Sequence, residues 1–513
     1  MEEGEKNTRY YHTFAIAKKR SNQILQIARE DGTLESNQES FHEIMEKFFL
    51  SKWSKRSCNL KDWPKFKISD CIHEDMANIL RSDFTKEELK VTLKSMDSNK
   101  SPGADGANAY FCKNYWCIVQ EATWNAIEEF YKTGRMPEKW KETVVVLIPK
   151  IQNAKECSKF RPICLCQTVY KLAAGMILNR FKNCLPKVIS EYQGAFVLGR
   201  SISDNCFIAQ EIISKMKSSV AKPGYFLLKL DMEHAYDSMC WETLNQVMKL
   251  THFLGKLIQL IMQCVSYPKF SIVINGKRTK WINAQCVFRQ GCPLSPSLFI
   301  LCFDLLSKAL YGNNDQLGMR IATNVEKITH LLFADDVLVV AKAYSKNVRT
   351  LKKILKNYCG WTGQAINSQK SMVLYGKKVT KKRRRKLNKI MGFKEVKELN
   401  YLGIKLALRR LKAKDYNITI DKAMSRLNSW GERWLSLAGR ILLIKRPYSN
   451  MISYQVAHSL IPKSILMKID KICRNFLWHN ENGNQGMHYI AWPTLCLPTC
   501  LGGFGIQGAS ERH

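Results

Sequence analysis

Two stretches of the chain combine apolar runs with acidic residues at their ends. YFLLKLDM (225–232) is apolar over most of its length, which is typical of a buried strand, and it runs into Asp231. THLLFADDVLVVA (329–341) consists of two apolar runs around a tight acidic turn, which predicts a β-hairpin with Asp335 and Asp336 at its tip. We therefore expect core strands that present aspartates at their ends.

Two further segments have the composition of strands. TVVVLIPK (143–150) is rich in β-branched residues and ends just after Pro149. FSIVINGKRTKWINA (270–284) places Asn275 and Gly276 between two strand-like runs, and this dipeptide favours a type I′ hairpin turn. The first segment predicts a strand and the second a hairpin.

Helical spacing and capping residues predict helices in other parts of the chain. Thr85 stands before KEELKVTLKSM with Glu88 three residues later, which is the pattern of a capping box. Ser295 and Pro296 predict a helix start, with the serine hydroxyl as the cap. Apolar residues recur at helical spacing through 241–265. Helices are also expected within 1–80, 165–185 and 200–217, and from the basic run at 377–386 to about residue 480.

The charge of the chain indicates a polyanionic partner. Lys and Arg number 80 against 44 Asp and Glu, a net charge of +36 spread along the whole chain. Such an excess repels itself in the folded state, and a nucleic-acid backbone in a long groove would offset it. Hydrophobic residues make up 45% of the sequence, which argues against a disordered chain. The length of 513 residues is too great for one compact core and predicts two to four subdomains. Charge alone does not separate an enzyme from a ribosome-bound or histone-like protein.

The 18 cysteines do not form a zinc pattern. The nearest approaches to a CxxC pair, Cys164/Cys166 and Cys496/Cys500, have no matching half-site. Single cysteines in apolar stretches, such as Cys264, are typical of small core residues in a reducing compartment. The charged start of the sequence is not a signal peptide, and no run approaches the ~18–20 apolar residues of a membrane span. The sequence therefore predicts an intracellular protein of the nucleus or the cytoplasm.

Asp231, Asp335 and Asp336 are the strongest candidates for chemistry. Adjacent carboxylates between apolar strands are costly without a counter-charge, and a divalent cation is the natural counter-ion. Taken alone, the Asp-Asp pair is more typical of a surface turn, but Asp231 at the end of a second apolar strand favours a shared metal site. Three such carboxylates can hold two Mg²⁺ ions roughly 3.5–4 Å apart. Such a pair of ions suits phosphoryl transfer, in which one ion would activate the attacking hydroxyl and the other would stabilise the leaving group.

The same segments carry a family resemblance. KLDMEHAYD (229–237), RQGCPLSP (289–296) and LLFADD (331–336), in this order, resemble the palm motifs of reverse transcriptases, most closely those of LINE-type non-LTR retrotransposons of the plant-like branch. Further segments extend the resemblance over nearly the whole chain: GEKNTRYYH (4–12), KSPGADG (100–106), VVVLIPK (144–150), FRPICLC (160–166), YQGAFVLGRSISDN (192–205), VINGK (273–277), GQAINSQKS (363–371), YLG (401–403), LSLAGR (435–440) and GGFGI (502–506).

The resemblance assigns the metal and nucleotide contacts. It implies that Asp231, Asp335 and Asp336 are the metal carboxylates, with two Mg²⁺ ions that Mn²⁺ can replace. Tyr236 would crowd the 2′ carbon of the nucleotide and exclude ribonucleotides, although a core aromatic residue would look the same. Gln290 would contact the template and nucleotide.

The resemblance also covers a glycine, two basic residues and a short turn. Gly291 would let the backbone approach the ligand closely. Lys150 and Arg161 would grip the triphosphate, and two solvated basic residues are the alternative. A primer grip would be formed by Tyr401, Leu402 and Gly403, for which a plain turn between strands is the alternative.

The fold implied by the resemblance is α+β, the right-hand polymerase fold with fingers, a palm built on an antiparallel sheet, and a thumb. The expected divisions are a helical basic extension (1–80), fingers (81–225), palm (226–375) and thumb with a C-terminal helical region (376–513). The implied reaction is RNA-directed DNA synthesis, in which dNTPs are added to the 3′-hydroxyl of a DNA primer or of nicked target DNA on an RNA template. Because no residues match an endonuclease or an RNase H region, we do not expect this chain to nick DNA by itself.

Two alternatives have specific sequence signatures. A viral RNA polymerase commonly has a GDD turn and no bulky gate, so FADD and Tyr236 argue against it. A catalytically inactive retroelement remnant, or a maturase-like RNA-binding protein, would share the charge, but retention of the three aspartates, Tyr236 and Gln290 disfavours it. The run KKRRRK (381–386) fits a solvated face, a nucleic-acid contact or a nuclear localisation signal.

Overall fold

The computed structural model describes residues 15–16, 18–20, 22–233, 235–313, 315–417, 420–421, 424, 436–445, 449–478, 487–506 and 508–509. The described backbone divides into two compact units. The larger unit comprises described residues between 15 and 205 and between 220 and 395. The smaller unit comprises residues 206–219 and the described residues from 396 onward. The segment GEKNTRYYH (4–12) lies outside the described residues.

Helices and strands alternate irregularly along the chain, which is the arrangement expected of an α+β protein. The α-helices are Gln38–Lys52, Glu74–Arg81, Lys86–Ser95, Ala109–Asn114, Trp116–Thr133, Glu138–Lys141, Thr168–Phe181, Leu185–Val188, Ile202–Ser218, Trp241–Leu250, Gly255–Val265, Ser295–Tyr311, Ser345–Thr362, Lys381–Met391, Leu437–Leu443, Ser449–His458, Lys463–Leu477 and Trp492–Cys496. The strands are β1 (Ile27–Ala28), β2 (Leu34–Glu35), β3 (Glu142–Pro149), β4 (Phe160–Leu165), β5 (Tyr225–Leu230), β6 (Met232–Glu233), β7 (Lys269–Ile274), β8 (Lys277–Arg278), β9 (Ile282–Asn283), β10 (His330–Phe333), β11 (Asp336–Lys342), β12 (Ala365–Ile366), β13 (Met372–Tyr375), β14 (Lys394–Glu395), β15 (Glu398–Tyr401) and β16 (Ile404–Ala407).

The larger unit contains a five-stranded sheet in the order β10-β11-β5-β13-β14. All neighbours are antiparallel except β13 and β14, which are parallel. In β5, Leu227 and Leu228 point to opposite faces and both are fully buried, so the sheet is covered on its two sides. This explains why the strand is an almost continuous apolar run.

A second sheet in the same unit has the order β4-β3-β7-β8, with β9 also paired to β7. β3 and β4 form an antiparallel hairpin, whereas β3 and β7 are parallel. The central helix Ser295–Tyr311 is buried along most of its length and belongs to the hydrophobic core of this unit. A helix that is apolar on all sides is stable only when other elements surround it.

The smaller unit has its own core. On the helix Lys463–Leu477, Leu466, Ile469, Cys473 and Leu477 recur at helical spacing and are buried. They pack with residues of the helices Leu437–Leu443 and Trp492–Cys496. None of the helices in the described ranges has the length and apolar character needed to cross a membrane.

Several local predictions are confirmed. Thr85 and Glu88 form the predicted capping box at the start of Lys86–Ser95. Asn275 and Gly276 connect β7 and β8 with φ values of +47° and +92°, as a type I′ turn requires. The strand at 143–150, the helices within 165–185 and 200–217, and the hairpin at 329–341 are also present.

Four local predictions are wrong in detail. The stretch from the basic run to about residue 480, predicted as helical, contains the strands β14, β15 and β16 between Lys394 and Ala407. Ser295 is the first residue of its helix and not the cap, and its buried Oγ has no hydrogen-bond partner among the described residues. The stretch 241–265 forms two helices that are separated by a turn, where His252 has a φ of +60°. Both helices bury apolar faces in the same core, so the spacing persists across the break. β5 stops at Leu230, and Asp231 follows it. The divisions predicted near residues 80, 225 and 375 stay predictions.

Candidate active site

The three predicted metal carboxylates lie at one edge of the central sheet. The last register pair between β5 and β11 is Leu230 opposite Val337, so the next residues at this edge are Asp231 and Asp336. Asp335 lies in the two-residue turn that joins β10 to β11. The sheet register therefore brings together carboxylates that are far apart in sequence.

Two lysines neutralise part of this charge. Lys229 Nζ lies 2.9 Å from Asp336 Oδ1, and Lys370 Nζ lies 3.9 Å from Asp231 Oδ2. Oxygen atoms of the three aspartates do not all lie within 4.8 Å of one another. Two cations held by these residues would not require a single common point, but they would compete with both lysines for the carboxylate oxygens. Sequence analysis assigned no role to these lysines, although Lys229 stands out as a charged residue within an apolar strand.

The environment of the third carboxyl group, that of Asp335, disfavours its negative charge. Burial raises the pKa of Asp335, and the neighbouring charges of Asp336 and Asp231 raise it further. Protein atoms crowd the carboxyl group although the residue as a whole is exposed, so a cation from solvent can still reach it. An incoming divalent cation would relieve this repulsion, and the donor set of three carboxylates fits a hard metal ion.

The two predicted triphosphate contacts are on the β3–β4 hairpin. Arg161 pairs with Ile148 in the register, and the backbone N–H of Lys150 donates to Lys159 O at 2.8 Å. Lys150 Nζ donates to Ser158 O at 2.9 Å. Both basic residues are exposed. The hairpin thus presents them side by side.

The hairpin contributes to a concentration of positive charge. Although Lys150 is exposed as a residue, protein atoms around its ammonium partly desolvate it and lower its pKa, and the positive charges of Lys52, Lys370 and Arg161 also lower it. Arg161 is close enough to Asp335 to oppose the rise of the aspartate pKa. A triphosphate placed near this hairpin would stabilise these cations.

Tyr236 is half-buried in a 3₁₀ turn, Ala235–Asp237, directly after β6. Its ring stacks on Phe299 with centroids 4.7 Å apart, and its carbonyl accepts a hydrogen bond from Phe288 N. Burial raises the pKa of the Tyr236 hydroxyl, and the nearby charge of Asp335 contributes. The ring is therefore anchored on the core while its hydroxyl lies within electrostatic range of Asp335, and the role of Tyr236 as a gate stays a prediction.

Gln290 and Gly291 lie against strand β4. Cys164 N donates to Gln290 O at 2.7 Å. A Cβ on Gly291 would lie 2.3 Å from the carbonyl oxygen of Cys164, and the φ of this glycine is +128°. Glycine is required here because residue 291 lies close to the backbone of Cys164. This packing links Gln290 to the strand that carries Arg161.

Comparison with known proteins decides the family. The family described as reverse transcriptase (RNA-dependent DNA polymerase) matches residues 148–406, half of the chain. The chain belongs to the reverse transcriptase family. The predictions of an RNA-directed DNA polymerase and of the α+β right-hand fold are confirmed at the level of this family. Reverse transcriptases act on nucleic acid and generally use divalent metal ions.

Relatives of this reverse transcriptase chain come from transposable elements. It is 25% identical to the "Transposon TX1 uncharacterized 149 kDa protein" of Xenopus laevis over 98% of this chain and 38% of that protein. It is also 25% identical to the Pol polyprotein of a type-1 retrotransposable element R2 of Nasonia vitripennis over 45% of this chain and 22% of that protein. The chain therefore spans well under half the length of these relatives. Among solved structures, telomerase from Candida albicans aligns with 72% of this chain and 63% of its own at 13% identity and a TM-score of 0.35.

A buried arginine supports the Gln290 segment of this reverse transcriptase. Arg289 is 2% exposed and donates to Thr143 Oγ1 at 3.2 Å and to the carbonyl of Cys264. Its guanidinium lies over the ring of Tyr170 at 4.0 Å. The sequence offered one signal for this residue, a charge within an otherwise uncharged motif, and we assigned it no role.

A second buried charge, also missed, joins the N-terminal region to the candidate site. Lys52, the last residue of the helix Gln38–Lys52, pairs with Asp237 at 2.8 Å. Both side chains are about 5–6% exposed. Because Asp237 directly follows Tyr236, this ion pair stabilises the backbone next to the predicted gate.

The predicted primer grip lies in the smaller unit. Leu402 and Gly403, with φ values of +46° and +82°, form the two-residue turn between β15 and β16, and Tyr401 is fully buried. Tyr454 donates to Leu402 O, and Gln455 donates to Gly403 O at 2.9 Å. The geometry is that of a turn between strands, and the primer contact stays a prediction.

A cysteine cluster in the larger unit also has metal-like spacing. Ligand atoms of Cys58, Cys240 and Glu242 lie within 4.8 Å of one another, the one such group in the described part of the chain. Two of the three already have a protein partner: Glu242 pairs with Lys55 at 3.6 Å, and Cys240 donates to Arg56 O. Burial raises the pKa of Cys58 to about 11, which keeps the thiol protonated at neutral pH. We assign no ion to this cluster.

Proposed function

We propose that this chain copies an RNA template into DNA for a non-LTR retrotransposon, by adding dNTPs to a primer 3′-hydroxyl. One observation carries the proposal: the register of β5 and β11 and the β10–β11 turn bring Asp231, Asp335 and Asp336 to one sheet edge, where Asp335 is within electrostatic range of Arg161. Carboxylates beside exposed basic residues suit a reaction in which metal ions and a triphosphate meet.

The proposed cofactor is a pair of Mg²⁺ ions, with Mn²⁺ as a substitute. Asp231, Asp335 and Asp336 would hold them, since hard cations prefer carboxylate oxygens. When bound, the ions would stabilise charge on the attacking and leaving oxygens of the phosphoryl transfer. Lys229 and Lys370 would then lose their present carboxylate partners.

Basic and aromatic side chains would select and orient the nucleotide. Lys150 and Arg161 would bind the triphosphate, Arg161 through paired donors and Lys150 as a point charge. Tyr236, held by its stack on Phe299, would fill the space beside the 2′ carbon and exclude ribose. Gln290, held against β4, would contact the template–nucleotide pair.

The proposed partners are an RNA template and a DNA primer or nicked target DNA. The net charge of +36 favours binding through phosphates, and the A-like duplex of RNA with DNA would be recognised by its shape. We expect the protein to act inside the cell, in the nucleus or the cytoplasm, where RNA and dNTPs are present. The names of the relatives support the retrotransposon origin.

Primer extension tests the proposal. The purified chain is incubated with an RNA template, an annealed DNA primer, Mg²⁺ and either dNTPs or NTPs. We expect extension with dNTPs that Asp335→Asn abolishes, while Asp75→Asn, at an exposed aspartate of the helix Glu74–Arg81, retains it. A folded wild-type chain that binds the duplex but does not extend it would contradict the proposal and favour a nucleic-acid-binding remnant.

A further inference from the structure

The segment 192–194 lies along the outer edge of the β10–β11 hairpin. Leu332 N donates to Tyr192 O at 2.8 Å, and Gly194 N donates to Leu332 O at 2.8 Å. These bonds make a short parallel pairing with β10, on the side opposite to β11. The pairing places Gln193 next to the turn that carries Asp335.

The side chain of Gln193 is 1% exposed and binds the backbone of that turn. Its Oε1 accepts hydrogen bonds from Ala334 N at 2.9 Å and from Ala195 N at 3.0 Å. Its Nε2 donates to Ala334 O over a longer distance of 3.5 Å. One amide group therefore binds both polar atoms of the Ala334 backbone.

Ala334 needs such support because of its conformation. Its φ is +53°, in the left-handed region that residues with a Cβ rarely adopt. Strained conformations of this kind persist when surrounding structure holds them, and they cluster at functional sites. The next residue along the chain is Asp335, so the direction of this carboxyl depends on the Ala334 backbone.

The segment that carries Gln193 is itself firmly held. Arg200 donates to Gln193 O at 2.8 Å and to Ile189 O at 2.9 Å. Asn205 Nδ2 donates to Leu332 O at 2.9 Å. A Cβ on Gly194 would lie 2.2 Å from Asn205 Oδ1, so the segment fits closely only with glycine at this position.

We propose that Gln193 is a positioning residue that presets the Ala334–Asp335 turn for metal binding. The inference rests on the proposed function, since it assigns the turn to a metal site. Without the amide, the Ala334 N–H loses its acceptor, and the left-handed turn relaxes toward conformations that direct Asp335 elsewhere. Residues that orient metal ligands typically change metal affinity or activity by about 10- to 100-fold.

Mn²⁺ binding measured by electron paramagnetic resonance tests this role without requiring catalysis. The full chain is titrated with Mn²⁺ as wild type and as Gln193→Leu. We expect the dissociation constant of Gln193→Leu to rise at least about 10-fold. Asn347→Leu is the matched control, because this buried amide donates to Lys342 O at the far end of β11. It should lower stability and leave the Mn²⁺ dissociation constant unchanged.

Gln193→Asn covers the case in which the leucine variant does not fold. It keeps an amide but withdraws it from Ala334, so the dissociation constant should also rise. Equal Mn²⁺ affinity of a folded Gln193 variant and the wild type would overturn the inference. If the wild type binds Mn²⁺ but extends no primer, the proposed function fails, and the comparison of Mn²⁺ affinities still decides the role of Gln193.

Discussion

Replacing Lys52 by methionine should destabilise the protein, because the buried Asp237 carboxylate at the candidate site would lose its ion-pair partner. Lys52 Nζ and Asp237 Oδ2 are 2.8 Å apart, and both side chains are nearly inaccessible to solvent. The ammonium also lies 5.3 Å from the centre of the Phe49 ring. Methionine can keep the apolar stem of the lysine packed, so the main loss is the partner of a buried carboxylate.

The expected cost is large for a single substitution. Removing one member of a buried ion pair typically costs about 3–5 kcal/mol. Lys150 lies within electrostatic range of Asp237 and would offset part of the loss. We therefore expect about 3 kcal/mol, which is roughly a hundred-fold in the unfolding equilibrium. The double variant Lys52→Met/Asp237→Leu should recover most of it, because apolar replacement of both partners is often nearly neutral.

Urea unfolding, followed by circular dichroism with a chelator present, measures these differences from the midpoint and slope. Lys55→Met is the matched control. Lys55 is 71% exposed and pairs with Glu242 at 3.6 Å, so its loss should cost less than about 1 kcal/mol. The reasoning is refuted if Lys52→Met matches this control, or if the double variant is no more stable than Lys52→Met.

Three further predictions concern the candidate site. The raised folded-state pKa of Asp335 means that its ionised carboxylate destabilises the folded protein. Stability is unaffected below the unfolded pKa and is lost as the pH rises through the folded value. Asp335→Asn should therefore raise the melting temperature measured in chelator at neutral pH, and a lower melting temperature would contradict this sign. Gly291→Ala, whose Cβ would meet Cys164 O at 2.3 Å, should lower the unfolding free energy by about 1–3 kcal/mol, while Gly255→Ala, with no atom within 4 Å, should cost far less in the same urea assay. Tyr236→Ala should raise the efficiency of NTP relative to dNTP incorporation in primer extension, and an unchanged ratio would leave this residue as a core aromatic only.

Local sequence determined many of the elements that surround the candidate site. The turn at Asn275–Gly276 and the capping box of Thr85 and Glu88 depend on backbone preferences and contacts within a few residues, so they can be read from the chain. The apolar runs that become β5 and β11 are long and are bordered by acidic residues, which made these carboxylates candidate metal ligands. Their assignment as catalytic residues came from the family resemblance.

The tertiary structure alone decided which groups meet. Gln193 and Ala334 are 141 residues apart, and no local pattern predicts that one amide supports the other's backbone. Lys52 pairs with Asp237, and Lys229 with Asp336, because of packing and sheet register between segments that are distant in sequence. Local sequence also misplaced one helix start: Ser-Pro suits a cap at Ser295, but the helix begins at the serine itself. Local preferences set the elements, whereas long-range packing sets their partners, and the candidate site consists of such partners.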